Sequence, residues 1–426
     1  MSRLLYSLVF LLAMPLVWLR LVWRARRQPE YLQHLGERHG YYTARPAGPL
    51  IWLHAVSVGE TRAAEPLIAA LLRDYPQHVL LLTHMTPTGR ATGREWCVKY
   101  PSRVTQAYLP YDLPFACQRF FAHFRPQVGL LMETELWPNL ITTAHRHRVP
   151  LALVNARLSA RSLRGYSRLR GLLGPVLASL SAVGAQTAAD GERLQRLGAR
   201  EVEITGNLKF DVTPPAAMLE LGARWRQVLG GRPVWLAAST REGEENLILD
   251  ALAALGKSDL LLVLVPRHPQ RFAALAGLLA ARGYIFKRRS DGALPDRSDR
   301  VWLGDSMGEM AAYYALADLA LIGGTLLPYG GQNLIEAAAC GCPVMLGPHS
   351  FNFAQASEDA IVCGAARRVA DATAAALLVR QLLSEAERRQ LQTMRSAALS
   401  FSQAHRGASE RTMTLIRRLM VLRAGR

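Results

Sequence analysis

The sequence predicts an α/β protein of two parallel-sheet domains behind an apolar N-terminal segment. Three observations lead there. Short apolar runs alternate with helical stretches along most of the 426 residues, the pattern of parallel strands covered by helices. The alternation comes in two series, separated near residues 206–215, where Pro214-Pro215 punctuates the chain. Polar, often glycine-containing motifs follow the apolar runs directly. Ligands of open α/β sheets bind outside the carboxyl ends of strands, so these motifs are expected to gather in one cleft between two facing domains.

The apolar segment comes first. Residues 4–19 read LLYSLVFLLAMPLVWL, and Arg20, Arg24, Arg26 and Arg27 follow. A secretory signal puts its charge before the apolar run and ends in a small-residue cleavage site. Here the charge comes after. Counting residues 21–23, with Arg20 snorkelling, the run reaches about 20 residues, the length of a bilayer crossing. Trp18 and Trp23 suit an interface, and the basic flank puts the rest of the chain on the cytoplasmic side. Residues 1–27 are therefore expected to be a membrane anchor, with spanning and in-plane arrangements both open. The competing reading is a buried first helix of a soluble fold.

Strands of the first series are expected at residues 50–54, 79–83, 128–132, 151–155 and 182–186. Residues 60–73 read as one amphipathic helix carrying Pro66 near its start. The second series places strands at 234–238, 260–265, 301–303, 319–323 and 343–346, and the chain from about residue 384 is helical and rich in Arg. The expected domains are thus 28–210 and 211–426.

Charge narrows the partners. There are 51 basic and 33 acidic residues, for a net charge of +18, which favours nucleic acid, an anionic membrane surface or phosphorylated substrates. No zinc-finger spacing, basic heptad helix or aromatic RNA-binding signature occurs, so nucleic acid is not an expected partner. The five cysteines, Cys97, Cys117, Cys340, Cys342 and Cys363, match no metal knuckle and read as inert thiols of a reducing compartment.

The motifs follow the strands in order. Ser57-Val-Gly59-Glu60-Thr61 sets a tight turn and an acid in the first turn of a helix. That acid is either favourable with the helix dipole or catalytic. Met85-Thr86-Pro87-Thr88-Gly89-Arg90 supplies hydroxyls and a cation, or is a plain loop. Glu133-Thr134-Glu135-Leu136-Trp137 puts two carboxylates at a strand end, and spacing leaves open whether they share a task. Ser239-Thr240-Arg241-Glu242-Gly243-Glu244-Glu245 either seats an anion or caps a helix. Pro266-Arg267-His268-Pro269 holds an Arg suited to an anion. Gly304-Asp305-Ser306-Met307-Gly308-Glu309 is another turn before a helix. In Gly330-Gly331-Gln332-Asn333-Leu334-Ile335-Glu336, Asn333 and Glu336 lie three apart on one helix face. Glycines there let a phosphate-bearing ligand approach the backbone, and a carboxylate suits the two hydroxyls of a ribose.

These residues resemble a known family. SVGET, MTPTG, YLPYD (108–112), METELWPNL (132–140), NARLSARS (155–162), LKFD (208–211), VPRHPQRF (265–272), GDSMGEM and GPHSFNF (347–353) are similar to the motifs of the 3-deoxy-D-manno-octulosonic acid (Kdo) transferases. The resemblance implies a GT-B fold, two Rossmann-like domains with the acceptor on the N-terminal half and the nucleotide sugar on the C-terminal half. It implies inverting transfer of Kdo from CMP-Kdo to a phosphorylated lipid A precursor in lipopolysaccharide biosynthesis at the inner membrane. Carried over by position, Glu60 is the general base, and Glu133 and Lys209 stabilise the transition state. Pro266, Arg267, Met307, Gly308, Glu309, Asn333, Leu334, Ile335 and Glu336 hold CMP. No cofactor and no metal are implied. Two positions depart from the pattern: Arg241 stands where the family often has His, and Gln332 where GGHN is common.

Two rival readings fit part of the pattern. A nucleotide-sugar epimerase shares such a fold but needs neither anchor nor lipid acceptor. A non-enzymatic module binding anionic lipid leaves both sets of strand-end motifs unexplained.

Overall fold

The computed structural model describes residues 2–43 and 45–424. The chain divides into two compact units. One runs to Asp211 and is joined again by the chain from Arg406, and the other is Val212–His405.

In the first unit the strands are β1 (Leu50–His54), β2 (Val79–His84), β3 (Val104–Tyr108), β4 (Val128–Met132), β5 (Leu151–Ala156), β6 (Ala182–Ala185) and β7 (Val202–Ile204). They form one parallel sheet in the order β3-β2-β1-β4-β5-β6-β7. Every residue of β1, β2, β4, β5 and β6 is buried. A sheet covered on both faces requires such continuous apolar runs. One face packs Trp52, Phe120 and Phe121 with Leu131 and Leu153. The other packs Ile51, Leu53, Leu67, Ile68 and Leu130. The Trp52 indole N–H donates to the Thr83 hydroxyl at 2.8 Å, so the buried ring keeps a partner.

The second unit repeats the plan with β8 (Val234–Thr240), β9 (Leu261–Pro266), β10 (Phe286–Arg288), β11 (Val301–Leu303), β12 (Leu319–Ile322), β13 (Val344–Leu346) and β14 (Ala366–Arg368). Their order is β10-β11-β9-β8-β12-β13-β14, again parallel. The fold class expected from the alternating pattern is therefore observed. In each sheet the strand order reverses beside the first strand, between β1 and β4 and between β8 and β12. Those reversals open the crevices where ligands of such sheets sit.

Three features differ from the sequence expectation. Residues 60–73 are not one helix. Val58–Ala63 (α2) and Glu65–Asp74 (α3) meet at Ala64, because Pro66 has no N–H to continue the ladder and begins a new helix instead. Strands β3, β7, β10 and β14 are additional. The chain from Arg406 joins the first unit, whereas the sequence alone places it in the second domain, 211–426. Helix Ala408–Ala424 puts Leu415, Ile416 and Leu419 into the first unit's core. Its start is held by Asp211, whose carboxylate accepts from the Gly407 N–H at 2.7 Å and from the Ser409 N–H, an acid placed well for a helix N-terminus.

The N-terminal segment is a single helix, α1 (Arg3–Ala25), with Pro15 inside it. It is long and apolar enough to cross a membrane by length and composition. Only Met14, Leu21 and Ala25 of it are buried, so it is no core helix.

Candidate active site

Glu60 enters the site through its helix cap. Ser57 has extended backbone and its Oγ accepts from the Glu60 N–H. In return the Ser57 hydroxyl donates to Glu60 Oε1 at 3.1 Å, and the Val56 N–H donates to Oε2 at 2.8 Å. This is a capping box with the acid reaching one residue further back than usual. The carboxyl is partly buried and its pKa is raised to about 7. Burial is the main cause, opposed by the Val56 N–H and reinforced by the nearby charges of Glu133 and Glu135.

Those acids arrive from the other side of the reversal, at the end of β4. Glu133 sits at φ 55°, an uncommon left-handed conformation for a side-chain-bearing residue. Its Oε1 stands 3.7 Å from Lys209 Nζ, and its Oε2 accepts from Arg157 Nε at 2.9 Å. Burial pushes the Lys209 ammonium below its ordinary range, while Glu133 and, more weakly, Glu60 pull it back up. Lys209 is carried on a single turn, Leu208–Asp211. That turn is pinned where the Leu208 N–H donates to Asn155 Oδ1 at 3.0 Å, Asn155 itself standing at φ 52° at the end of β5. Glu135 takes a different task from Glu133: it accepts from the Trp137 indole N–H at 2.7 Å and lies 4.0 Å from the buried His54.

Glu60, Glu133 and Lys209 thus belong to one cluster at the carboxyl ends of β1, β4 and β5. Arg157, inside the NARLSARS stretch, is part of it, and the sequence alone gives it no role. Its contact with Glu133 spans 24 residues of chain, and no local spacing announces that. Arg90, directly after MTPTG, is engaged elsewhere. It pairs with Glu37 at 2.6 Å, and Glu37 also accepts from the Tyr108 N–H.

In the second unit, several acids of the strand-end motifs build the loops. Glu244 is fully buried and accepts from the N–H groups of Arg241, Gly324 and Leu326 at 2.6–3.0 Å. It ties the loop after β8 to the loop after β12. Glu245 accepts a two-pronged guanidinium from Arg271 and the Thr240 hydroxyl. Gly323 passes so near the first loop that a Cβ there would lie 2.3 Å from the Ser239 carbonyl oxygen. Ser239 itself is at φ 58°.

The remaining candidates lie on the segments after β9, β11 and β12. Pro266 ends β9 and is buried, whereas Arg267 is exposed. The His268 ring is held below its usual pKa by burial and by Arg241, Arg267 and Arg271, a concentration of positive charge. Arg241 stacks on Tyr329 at 4.7 Å and meets His268 Nε2 at 3.1 Å. Met307 is exposed, Gly308 has φ 79°, and Glu309 is clamped by Arg289 at 2.8 and 3.0 Å. Asn333 stands just before helix Ile335–Ala339 rather than within it. It caps the Ile335 N–H and donates to Glu336 Oε1 at 2.9 Å. Leu334 and Ile335 are buried, so they support the turn and the helix start from beneath.

Known proteins carry the same architecture. A glycosyltransferase from Rickettsia africae aligns over 88% of this chain and 99% of its own, with TM-score 0.60 and 13% identity. The Anabaena HepE structure with UDP aligns over 87% and 99%, with TM-score 0.57 and 15% identity. At such identity the likeness speaks for the fold alone. The family model for 3-deoxy-D-manno-octulosonic-acid transferase matches residues 33–212. The 3-deoxy-D-manno-octulosonic acid transferase of Bordetella pertussis is 47% identical over 97% of this chain and 98% of its own. That of Haemophilus influenzae is 37% identical over 98% of each.

Two seven-stranded parallel sheets and these relatives define an enzyme of the GT-B glycosyltransferase class. Within that class, the chain belongs to the 3-deoxy-D-manno-octulosonic acid transferase family.

Proposed function

We propose that this Kdo transferase moves Kdo from CMP-Kdo to a hydroxyl of a phosphorylated lipid A precursor, with Glu60 as general base. The observation that carries the reading is the Glu60 carboxyl, raised to about 7 beside Lys209 and Glu133 at the β1/β4 reversal. A base works best when its pKa lies near the operating pH. The acceptor hydroxyl attacks the anomeric carbon of Kdo and passes its proton to Glu60. The bond from that carbon to the CMP phosphate oxygen breaks as the new one forms, which inverts the centre. CMP leaves with both electrons of that bond.

Positive groups offset the charge that develops on the departing phosphate. Lys209, held by Glu133, is the candidate on the first unit, which binds the acceptor. Arg267 is the candidate on the second unit, which holds the nucleotide, with Arg241 at the same loops. The Asn333–Glu336 pair faces the ribose hydroxyls, and the backbone at Pro266, Met307, Gly308, Leu334 and Ile335 shapes the CMP site. Glu309 is committed to Arg289, so its part is to fix its loop.

The exposed apolar helix α1 attaches the enzyme to the inner membrane, and the net charge of +18 draws it to anionic lipid and to the acceptor's phosphates. The test is incubation with CMP-Kdo and lipid A precursor followed by mass spectrometry of the lipid. One or more Kdo increments are expected. An unchanged lipid, with the donor converted to another sugar nucleotide, would support an epimerase instead.

A further inference from the structure

We infer that α1 lies in the plane of one lipid leaflet, docked along its length on the first unit, and does not cross the bilayer. This rests on the membrane attachment proposed above and specifies its geometry.

The helix has two faces. Arg3, Ser7, Phe10, Met14, Val17, Leu21 and Ala25 recur at three- and four-residue spacings, which puts them on one side. That side meets protein from end to end. Near its start, Ser7 Oγ hydrogen-bonds the Asn139 side chain at 3.0–3.1 Å, and Tyr6 reaches the buried Asp112 carboxylate. Midway, Met14 packs with Tyr111, Leu113 and Ala116, flanked by Phe10, Val17 and Trp18. Trp18 then stacks on His39 with centroids 5.5 Å apart. At its end Leu21 and Ala25 are buried, and Arg24 reaches the Tyr31 hydroxyl at 3.4 Å.

The opposite side is bare hydrocarbon. Leu4, Leu8, Leu12, Leu16, Leu19 and Trp23 are each more than half exposed. A helix of 23 residues is about 35 Å long, at ~1.5 Å per residue. Were it to span while docked, Asp112, Asn139, Arg38 and His39 would enter the hydrocarbon with it. Each charged group placed there costs on the order of several kcal/mol. Lying flat, the helix sinks only its leucine side into the acyl region and keeps every contact with the first unit. Arg20, Arg24, Arg26 and Arg27 are exposed at the same end and suit anionic headgroups. The Ser7–Asn139 and Tyr6–Asp112 contacts give the docking a specificity that apolar packing alone lacks.

The test measures immersion depth. Leu4, Leu8, Leu12, Leu16 and Leu19 are replaced singly by Cys in the full chain, spin-labelled, and bound to vesicles of phosphatidylethanolamine and phosphatidylglycerol. The signal of the unsubstituted protein is subtracted. In-plane docking gives nearly one shallow depth for all five positions. Spanning gives depths that step by about 6 Å for each four residues, and that result overturns the inference while leaving membrane attachment intact. Protein that fails to float with the vesicles at all would overturn the attachment itself.

Discussion

Lys209 Nζ and Glu133 Oε1 stand 3.7 Å apart, joining the turn that closes the first unit's sheet to the end of β4. Both are largely withdrawn from water, at 19% and 12% side-chain exposure. Glu133 favours the charged form of Lys209 against the burial that opposes it, and a positive charge in such a low-dielectric setting acts more strongly than in water. Lys209→Ala is expected to lower kcat by about 100-fold, the scale of losing one preorganised charge-stabilising group. The KM for the donor should change little. Steady-state kinetics with a parallel thermal melt checks this. Wild-type kcat in a folded variant would remove Lys209 from the mechanism.

Glu244 is expected to matter for stability more than for chemistry. Its carboxylate satisfies the N–H groups of Arg241, Gly324 and Leu326, and Glu244→Ala leaves the buried Gly324 and Leu326 N–H groups without that partner. A loss of about 3 kcal/mol or more is expected, read from urea unfolding. The tie between the two loops goes with it, so CMP should also cease to raise the melting temperature.

Asn333→Ala breaks the contact with Glu336 and the cap on Ile335 N–H. The donor KM is expected to rise about tenfold, equivalent to ~1.4 kcal/mol, with kcat within about threefold of wild type. A fall in kcat with unchanged KM would place the pair at the reacting centre.

Glu60 also links pH to stability. Its pKa is about 7 in the folded chain against an ordinary 4.5, so the folded state binds the proton more tightly. Its contribution is fully present below about pH 4.5 and is lost as pH rises through about 7. Wild type should therefore lose more stability between pH 5 and pH 8 than Glu60→Gln does. Chemical unfolding of both proteins at the two pH values measures the difference.

How much of this was legible in the sequence varies by element. The inner strands stood out because a doubly covered parallel sheet demands unbroken apolar runs, as in residues 128–132. The strands missed are β3, β7, β10 and β14, which are the four edges of the two sheets. An edge is paired on one side only and is partly exposed, so VTQAY, VEI, FKR and ARR carry no such run. The split between α2 and α3 was signalled by Pro66. The return of the last helix to the first unit was not, because it depends on Asp211 meeting Gly407 and Ser409 almost 200 residues later.

The site was legible as motifs and illegible as partnerships. Glu60 stood in a recognisable cap, and the family resemblance marked it. Nothing local revealed that Glu244 and Glu309 are bound up with Arg241, Gly324 and Arg289 rather than free for a ligand. The left-handed backbone of Glu133, Asn155 and Ser239 was equally hidden, since none of the three is glycine. Each costs on the order of 1 kcal/mol or more, and all three fall at the ends of β4, β5 and β8.

The pH–rate profile of Kdo transfer, compared between wild type and Glu60→Gln, bears most directly on the central claim. In wild type, kcat/KM for the donor is expected to fall about tenfold per pH unit below an inflection near 7, where Glu60 becomes protonated. Glu60→Gln is expected to be folded, to bind CMP normally, and to turn over at least about 100-fold more slowly with no such inflection. A folded Glu60→Gln enzyme with wild-type turnover and an unchanged acid limb would show that another group takes the proton.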